Sequence, residues 1–150
     1  MLKRIFLMLM VIGTLQGFGG AQDFGGAQLL KLPERGQTKG RPVDGSLRFD
    51  GAAKALVFTA KGGSDVVSAP YASIRTLTYE RAAKPRYWLG IFTVHEFLFT
   101  REKKHFLTIQ YGPEGSGQYA LVRLDKDNFR HVLAMLESET GKKIDRVEEY

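Results

Sequence analysis

Apolar side chains recur at every second residue through most of this chain, and at every third or fourth residue in a single stretch near its C-terminal end. A period of two sends alternate side chains to opposite faces of a strand, whereas a period near 3.6 gathers them on one face of a helix. The pattern therefore predicts a run of short strands closed by one helix. Leu47 and Phe49 alternate with Arg48 and Asp50, and Leu56 and Phe58 with Val57 and Thr59, across the turn Asp50-Gly51-Ala52-Ala53, which reads as a hairpin. After the turn Lys61-Gly62-Gly63-Ser64, a strand over Asp65 to Ala69 carries the β-branched pair Val66 and Val67 and stops at Pro70. The irregular spacing of Tyr71, Ile74, Leu77 and Tyr79 predicts a helical turn or bulge feeding a strand from Arg75 to Arg81. Leu107, Ile109 and Tyr111, the turn at Gly112 to Gly117, then Ala120, Val122 and Leu124 predict a second hairpin. Phe129, Val132, Leu133, Leu136 and Thr140 share a helix face, with Asp125 or Asp127 to cap its start and Gly141 to end it.

The first residues are of another kind. Lys3 and Arg4 precede an apolar stretch from Ile5 to Leu15, within the roughly 7–15 residues of a signal-peptide core and short of the about 20 that span a bilayer. Small residues follow, and cleavage is expected after Ala21, with Ala27 as the alternative because Phe18 to Gln22 recurs as Phe24 to Gln28. The expected organisation is a signal peptide over 1–21, a flexible glycine-rich leader over 22–44, and a folded domain over 45–150. Localisation is then periplasmic or extracellular.

Composition narrows the function classes. A 150-residue chain with 10 Phe, 6 Tyr and 1 Trp has apolar surface for one globular core, and the absence of Cys excludes disulfides, thiolate zinc sites and cysteine nucleophiles. With 22 basic against 16 acidic residues, scattered rather than clustered, the net charge of +6 is no nucleic-acid signature.

The element order resembles that of the pleckstrin-homology-like fold. Ser68 to Leu77 is similar to the strand-and-turn segment of bacterial PH-like and GRAM-like domains, while Lys104 to Ile109 and the helix block Asn128 to Gly141 resemble small exported bacterial proteins with such a domain. The resemblance covers about residues 45 to 145. It implies a mainly β fold, a two-sheet antiparallel roll or barrel of about seven strands with one C-terminal amphipathic helix, and a non-catalytic binding module. The basic cluster of phosphoinositide-binding members does not carry over, because the first hairpin offers only Arg48 and Lys54.

The segment Tyr87 to Phe99 has nine apolar residues among thirteen, with Thr93, His95 and Glu96 sorted to neither a strand nor a helix face, contains the single Trp and lies between basic flanks. Such a run is either a strand buried on both faces or an exposed element that meets a partner. In the second case Trp88, Phe92, Phe97 and Phe99 anchor an envelope protein partner and Arg86, Arg101, Lys103 and Lys104 steer acidic groups; the alternative is a membrane surface met by the same residues. The oligomeric state is not legible. Catalytic constellations are weak: Glu114 stands where the Gly-x-Ser-x-Gly motif around Ser116 needs its first glycine, and Glu137 and Glu139 face different ways. His95, His105 and His131 match no metal-ligand spacing and read as satisfied or solvated, so no cofactor or metal is expected. A hydrolase or metal enzyme would require folding to bring Ser116, His105 and a carboxylate, or the histidines with Glu96, into one pocket.

Overall fold

The structure, a computed structural model, describes residues 21–30, 42–83, 102–113, 115 and 118–147. Eight strands form one sheet: β1 (Gln22–Leu30), β2 (Pro42–Asp50), β3 (Ala55–Ala60), β4 (Asp65–Pro70), β5 (Ile74–Ala82), β6 (Lys104–Tyr111), β7 (Gln118–Leu124) and β8 (Asp145–Val147). A 3₁₀ turn, Tyr71–Ser73, links β4 to β5, and the helix α1 (Phe129–Thr140) precedes β8. The sheet order is β4-β3-β2-β1-β7-β6-β5-β8, antiparallel throughout except for β8 along β5. Both expected hairpins form, Leu47 opposite Phe58 in one and Ile109 opposite Ala120 in the other. The first turn is held by the Asp50 carboxylate, which accepts hydrogen bonds from the N–H groups of Ala52 and Ala53.

Period-two alternation decides what the sheet buries. Leu47, Phe49, Leu56, Phe58, Leu77, Leu107, Ile109 and Val122 face one interior, and Val132, Leu133 and Leu136 of α1 enter the same cluster. Val132 and Leu136 are 0% exposed. Burying such side chains contributes about 1.5–3 kcal/mol each. Leu30, Phe106 and Leu121 point to the other face and form a second small cluster with Tyr119. The interior is filled: its void is about 10 Å³, lined by Leu29, Phe58, Ala120 and their neighbours, room for one water at most.

Two ends differ from the sequence reading. The expected flexible leader contains β1, and Pro42 to Asp44 already belong to β2, so the folded unit starts well before Gly45. Phe24, Ala27 and Leu29 face the core across a bulge, where Gly25 and Gly26 insert into the ladder and Gly26 takes φ +70°. The bulge breaks the period of two, which hid the strand. A Cβ on Gly26 would lie 2.3 Å from Asp125 Oδ2, and Gly25 O accepts a hydrogen bond from Asn128 Nδ2 at 2.9 Å. The bulge thus seats the segment that starts the helix. Residues 1–20 and 31–41 lie outside the described residues.

At that helix start Asn128, rather than Asp125 or Asp127, holds the cap position, and its side chain makes no capping bond. The Asp125 carboxylate instead receives the Asp127 N–H at 2.7 Å, while Asp125 O receives the Phe129 N–H at 3.0 Å. At the other end Gly141 adopts φ 66° and donates its N–H to Glu137 O, as a left-handed terminator should. Glu137 Oε1 then accepts the N–H of buried Ile144 and sends the chain into β8, a strand too short and too exposed to show any periodicity.

Two substitutions test this packing. Leu136→Asp places a carboxylate in the fully buried helix seam and is expected to cost about 4 kcal/mol or more in a denaturant melt; an unchanged midpoint would mean that the helix presents a different face. Gly26→Ala combines a left-handed backbone with a clash on Asp125 and should cost about 1–3 kcal/mol, while Gly25→Ala, with nothing within 4 Å of the added carbon, serves as the near-neutral comparison.

Candidate functional site

Among the described residues, one surface region concentrates aromatic and charged side chains. Alternation on β5 puts Tyr79 and Arg81 on the same face. His105 of β6 lies in register with Arg81, and Arg146 of β8 with Tyr79. The first turn of α1 adds Phe129 and Arg130 over the same strand ends.

The three rings form a parallel raft. Phe129 stacks on His105 at 3.7 Å between centroids and 12° between planes, and lies 5.9 Å and 3° from Tyr79. Tyr79 Oη is 2.7 Å from His105 Nδ1. Burial raises the Tyr79 hydroxyl above its ordinary range. Burial, with Arg81 and Arg130 adding to it, lowers His105 below its ordinary value; Lys104 lowers it further and Asp125 opposes them. Both shifts favour the neutral forms, so the pair is held by a hydrogen bond between an uncharged hydroxyl and an uncharged imidazole, its direction set by the imidazole tautomer.

Cations rim the raft. The Arg146 guanidinium lies 5.7 Å from the Tyr79 ring centre and that of Arg130 lies 5.6 Å from Phe129, both within cation–π range. Arg81, Arg130 and Arg146 are exposed, and among the described residues none of the three is in an ion pair. Sequence reasoning missed all three because they stand on separate elements far apart in the chain. The usable signal was strand parity, which puts Arg81 on the same side of β5 as Tyr79.

Of the residues singled out beforehand, Lys103 and Lys104 are described. Lys104 Nζ is paired with Glu102 Oε2 at 2.8 Å, which holds the Glu102 carboxyl below its usual range, and Lys103 is exposed beside them. Arg86, Trp88, Phe92, Phe97, Phe99 and Arg101 lie outside the described residues, as do His95 and Ser116. His131 is exposed on α1. A separate open cleft of about 620 Å³, lined by Gly26, Asp44, Lys61, Arg123 and others, has no buried polar side chain aimed into it, and Asp44 there already accepts from Gln28. Among the described residues no helix is long and apolar enough to cross a membrane.

Comparison with known proteins supports the architecture. No protein-family model matches the chain, and no curated protein matches it. Among solved structures, the chain is similar to one in the structure of the Spt16D Pob3N heterodimer, with a TM-score of 0.53 at 14% identity, over 87% of this chain and 56% of that one. This chain therefore spans just over half the length of that neighbour. At this identity the likeness concerns the fold, which is PH-like: mainly β, an eight-strand sheet with one C-terminal helix.

The His105 environment has a consequence for stability. Its native value lies below the ordinary about 6.5 of an unfolded chain, so the unfolded state binds the proton first. The contribution is full above about 6.5 and is lost as pH falls toward the lower native value. Melts of wild type and His105→Gln between about pH 7.5 and 4.5 should show wild type losing stability relative to the variant. An imidazole that titrates above about 6.5 by NMR would contradict the assigned environment.

Proposed function

We propose that this protein is an exported, non-catalytic PH-like module that binds a protein partner of the cell envelope. The observation that carries the reading is the exposed arginine rim around the Tyr79, His105 and Phe129 rings at the border of the core. Three arginines from three elements, two of them held against rings and all three without carboxylate partners among the described residues, suit recognition of another molecule better than they suit stability. β5 and β6 pair as far as Ala82 opposite Lys104. The segment bearing Trp88, Phe92, Phe97 and Phe99, with Arg86, Arg101 and Lys103, follows β5 and precedes β6 in the sequence, and in this reading it supplies the apolar part of the interface. An apolar anchor next to a cationic rim is the usual anatomy of a protein interface.

Export is supported by Lys3, Arg4 and the apolar stretch to Leu15, and by the start of β1 directly after Ala21. Cleavage there leaves β1 whole. Cleavage after Ala27 would divide the strand and remove Phe24, which is buried edge-on against Phe49. Ala21 is therefore the processing site of this reading. The second reading is peripheral membrane association through the 87–99 segment and its basic flanks, favoured by the same aromatic composition.

The chain beginning at Gln22 is to be floated with liposomes of anionic bacterial lipid at low and high salt, beside a folded Trp88→Ser, Phe92→Ser variant. The expected result is that neither floats, and that a photo-crosslinker at position 88 in intact cells gives a discrete protein adduct lost when Phe92 and Phe97 become serine. Flotation of wild type alone, without an adduct, would replace the protein-binding reading with the membrane one.

A further inference from the structure

We infer that Arg81, Arg130 and Arg146 form a binding site for an acidic peptide segment, whose carboxylates they receive. This deepens the binding-module reading and rests on it. Gathering three guanidinium groups on one face costs mutual repulsion, which their own fold does not relieve among the described residues. Each head presents a planar fork of donors matched to a carboxylate. Stacking against rings reduces the freedom that Arg130 and Arg146 would otherwise lose on binding.

Three cations, each with its own fork of donors, suit a ligand that carries several carboxylates. Arg146 stands against Tyr79, Arg130 against Phe129, and Arg81 across from His105, so three cations from three elements surround one group of rings. A chain with repeated carboxylates reaches all of them. The raft itself argues against a lipid surface: Tyr79 is buried and hydrogen-bonded, Phe129 is half-buried, and the exposed large apolar residue among those described is Val147 alone. Nothing there supplies a wedge for insertion. Asp125 is the one carboxylate that acts on His105, and it is engaged with the Asp127 N–H.

The test uses the chain from Gln22 and fluorescein-labelled hexaglutamate, read by fluorescence anisotropy at low salt, with hexaglutamine as the neutral counterpart. Arg81→Gln, Arg130→Gln and Arg146→Gln are combined in one variant. Lys54→Gln, Lys61→Gln and Lys142→Gln are combined in a second, which loses the same charge from exposed positions elsewhere. Both must keep the wild-type melting midpoint. The arginine variant is expected to bind hexaglutamate about tenfold or more weakly and the lysine variant within about twofold of wild type. NMR shifts on binding should centre on the His105 ring and the Phe129 and Arg130 amides.

Equal weakening in both variants would overturn the site, since net charge alone would then account for binding. So would arginine-dependent binding of phosphatidylglycerol vesicles or inorganic phosphate with none of hexaglutamate, which would assign the cations to a phosphate group. A protein adduct from position 88 without hexaglutamate binding sinks this site and spares the module. Arginine-dependent binding without an adduct sinks the 87–99 interface and spares this site.

Discussion

The burial of one helix face holds the described structure together. Val132, Leu133 and Leu136 pass from α1 into the cluster made by the inward residues of the strands, and no other described helix is present to cover it. A sheet that buries one face in water needs such a cover, because the apolar residues on β2, β3 and β5 to β7 would otherwise stay wet. The termini of α1 then decide what its ends can do. Gly141 turns the chain sharply so that Ile144 enters the core and β8 lies along β5, while the first turn brings Phe129 and Arg130 over the ends of β5 and β6. The arginine rim around the rings is therefore a by-product of where a structural helix must begin.

That origin explains the chemistry of the site. Tyr79 and His105 face the interior side of their strands, and burial under Phe129 keeps both neutral and hydrogen-bonded to each other. Their arginine neighbours reach solvent, and two of them, Arg130 and Arg146, rest their guanidinium heads near the Phe129 and Tyr79 rings while staying exposed. The result is an apolar floor with a charged rim, obtained without a cavity.

The strands with clean alternation and the helix were legible in the sequence because one face of each is buried and the other is not. Leu47 and Phe49, Leu107 and Ile109, and Val132 and Leu136 all lie where their periods placed them. β1 was not legible, since the Gly25 and Gly26 bulge shifts its inward residues from Phe24 to Ala27 and imitates a leader. β8 was invisible because all three of its residues are exposed. The arginine rim is a property of register between β5, β6 and β8 and of the entry point of α1, none of which a single sequence displays. The aromatic segment from Tyr87 to Phe99 was conspicuous for the opposite reason: composition marks it without fixing its place.

β1 has a consequence in time. It joins β2 on one side and β7 on the other, with Gln28 opposite Arg123, and its Gly25 carbonyl is tied to Asn128 across 103 positions of sequence. The first of the described strands to be synthesised is thus the one that waits longest for its second partner. Until β7 and the start of α1 have followed, the β1 to β4 hairpins can pair among themselves but have no helix to dry their inner face. Locking of the domain is deferred to its last quarter, so its topology keeps the described core open until nearly all of the described strands have been made.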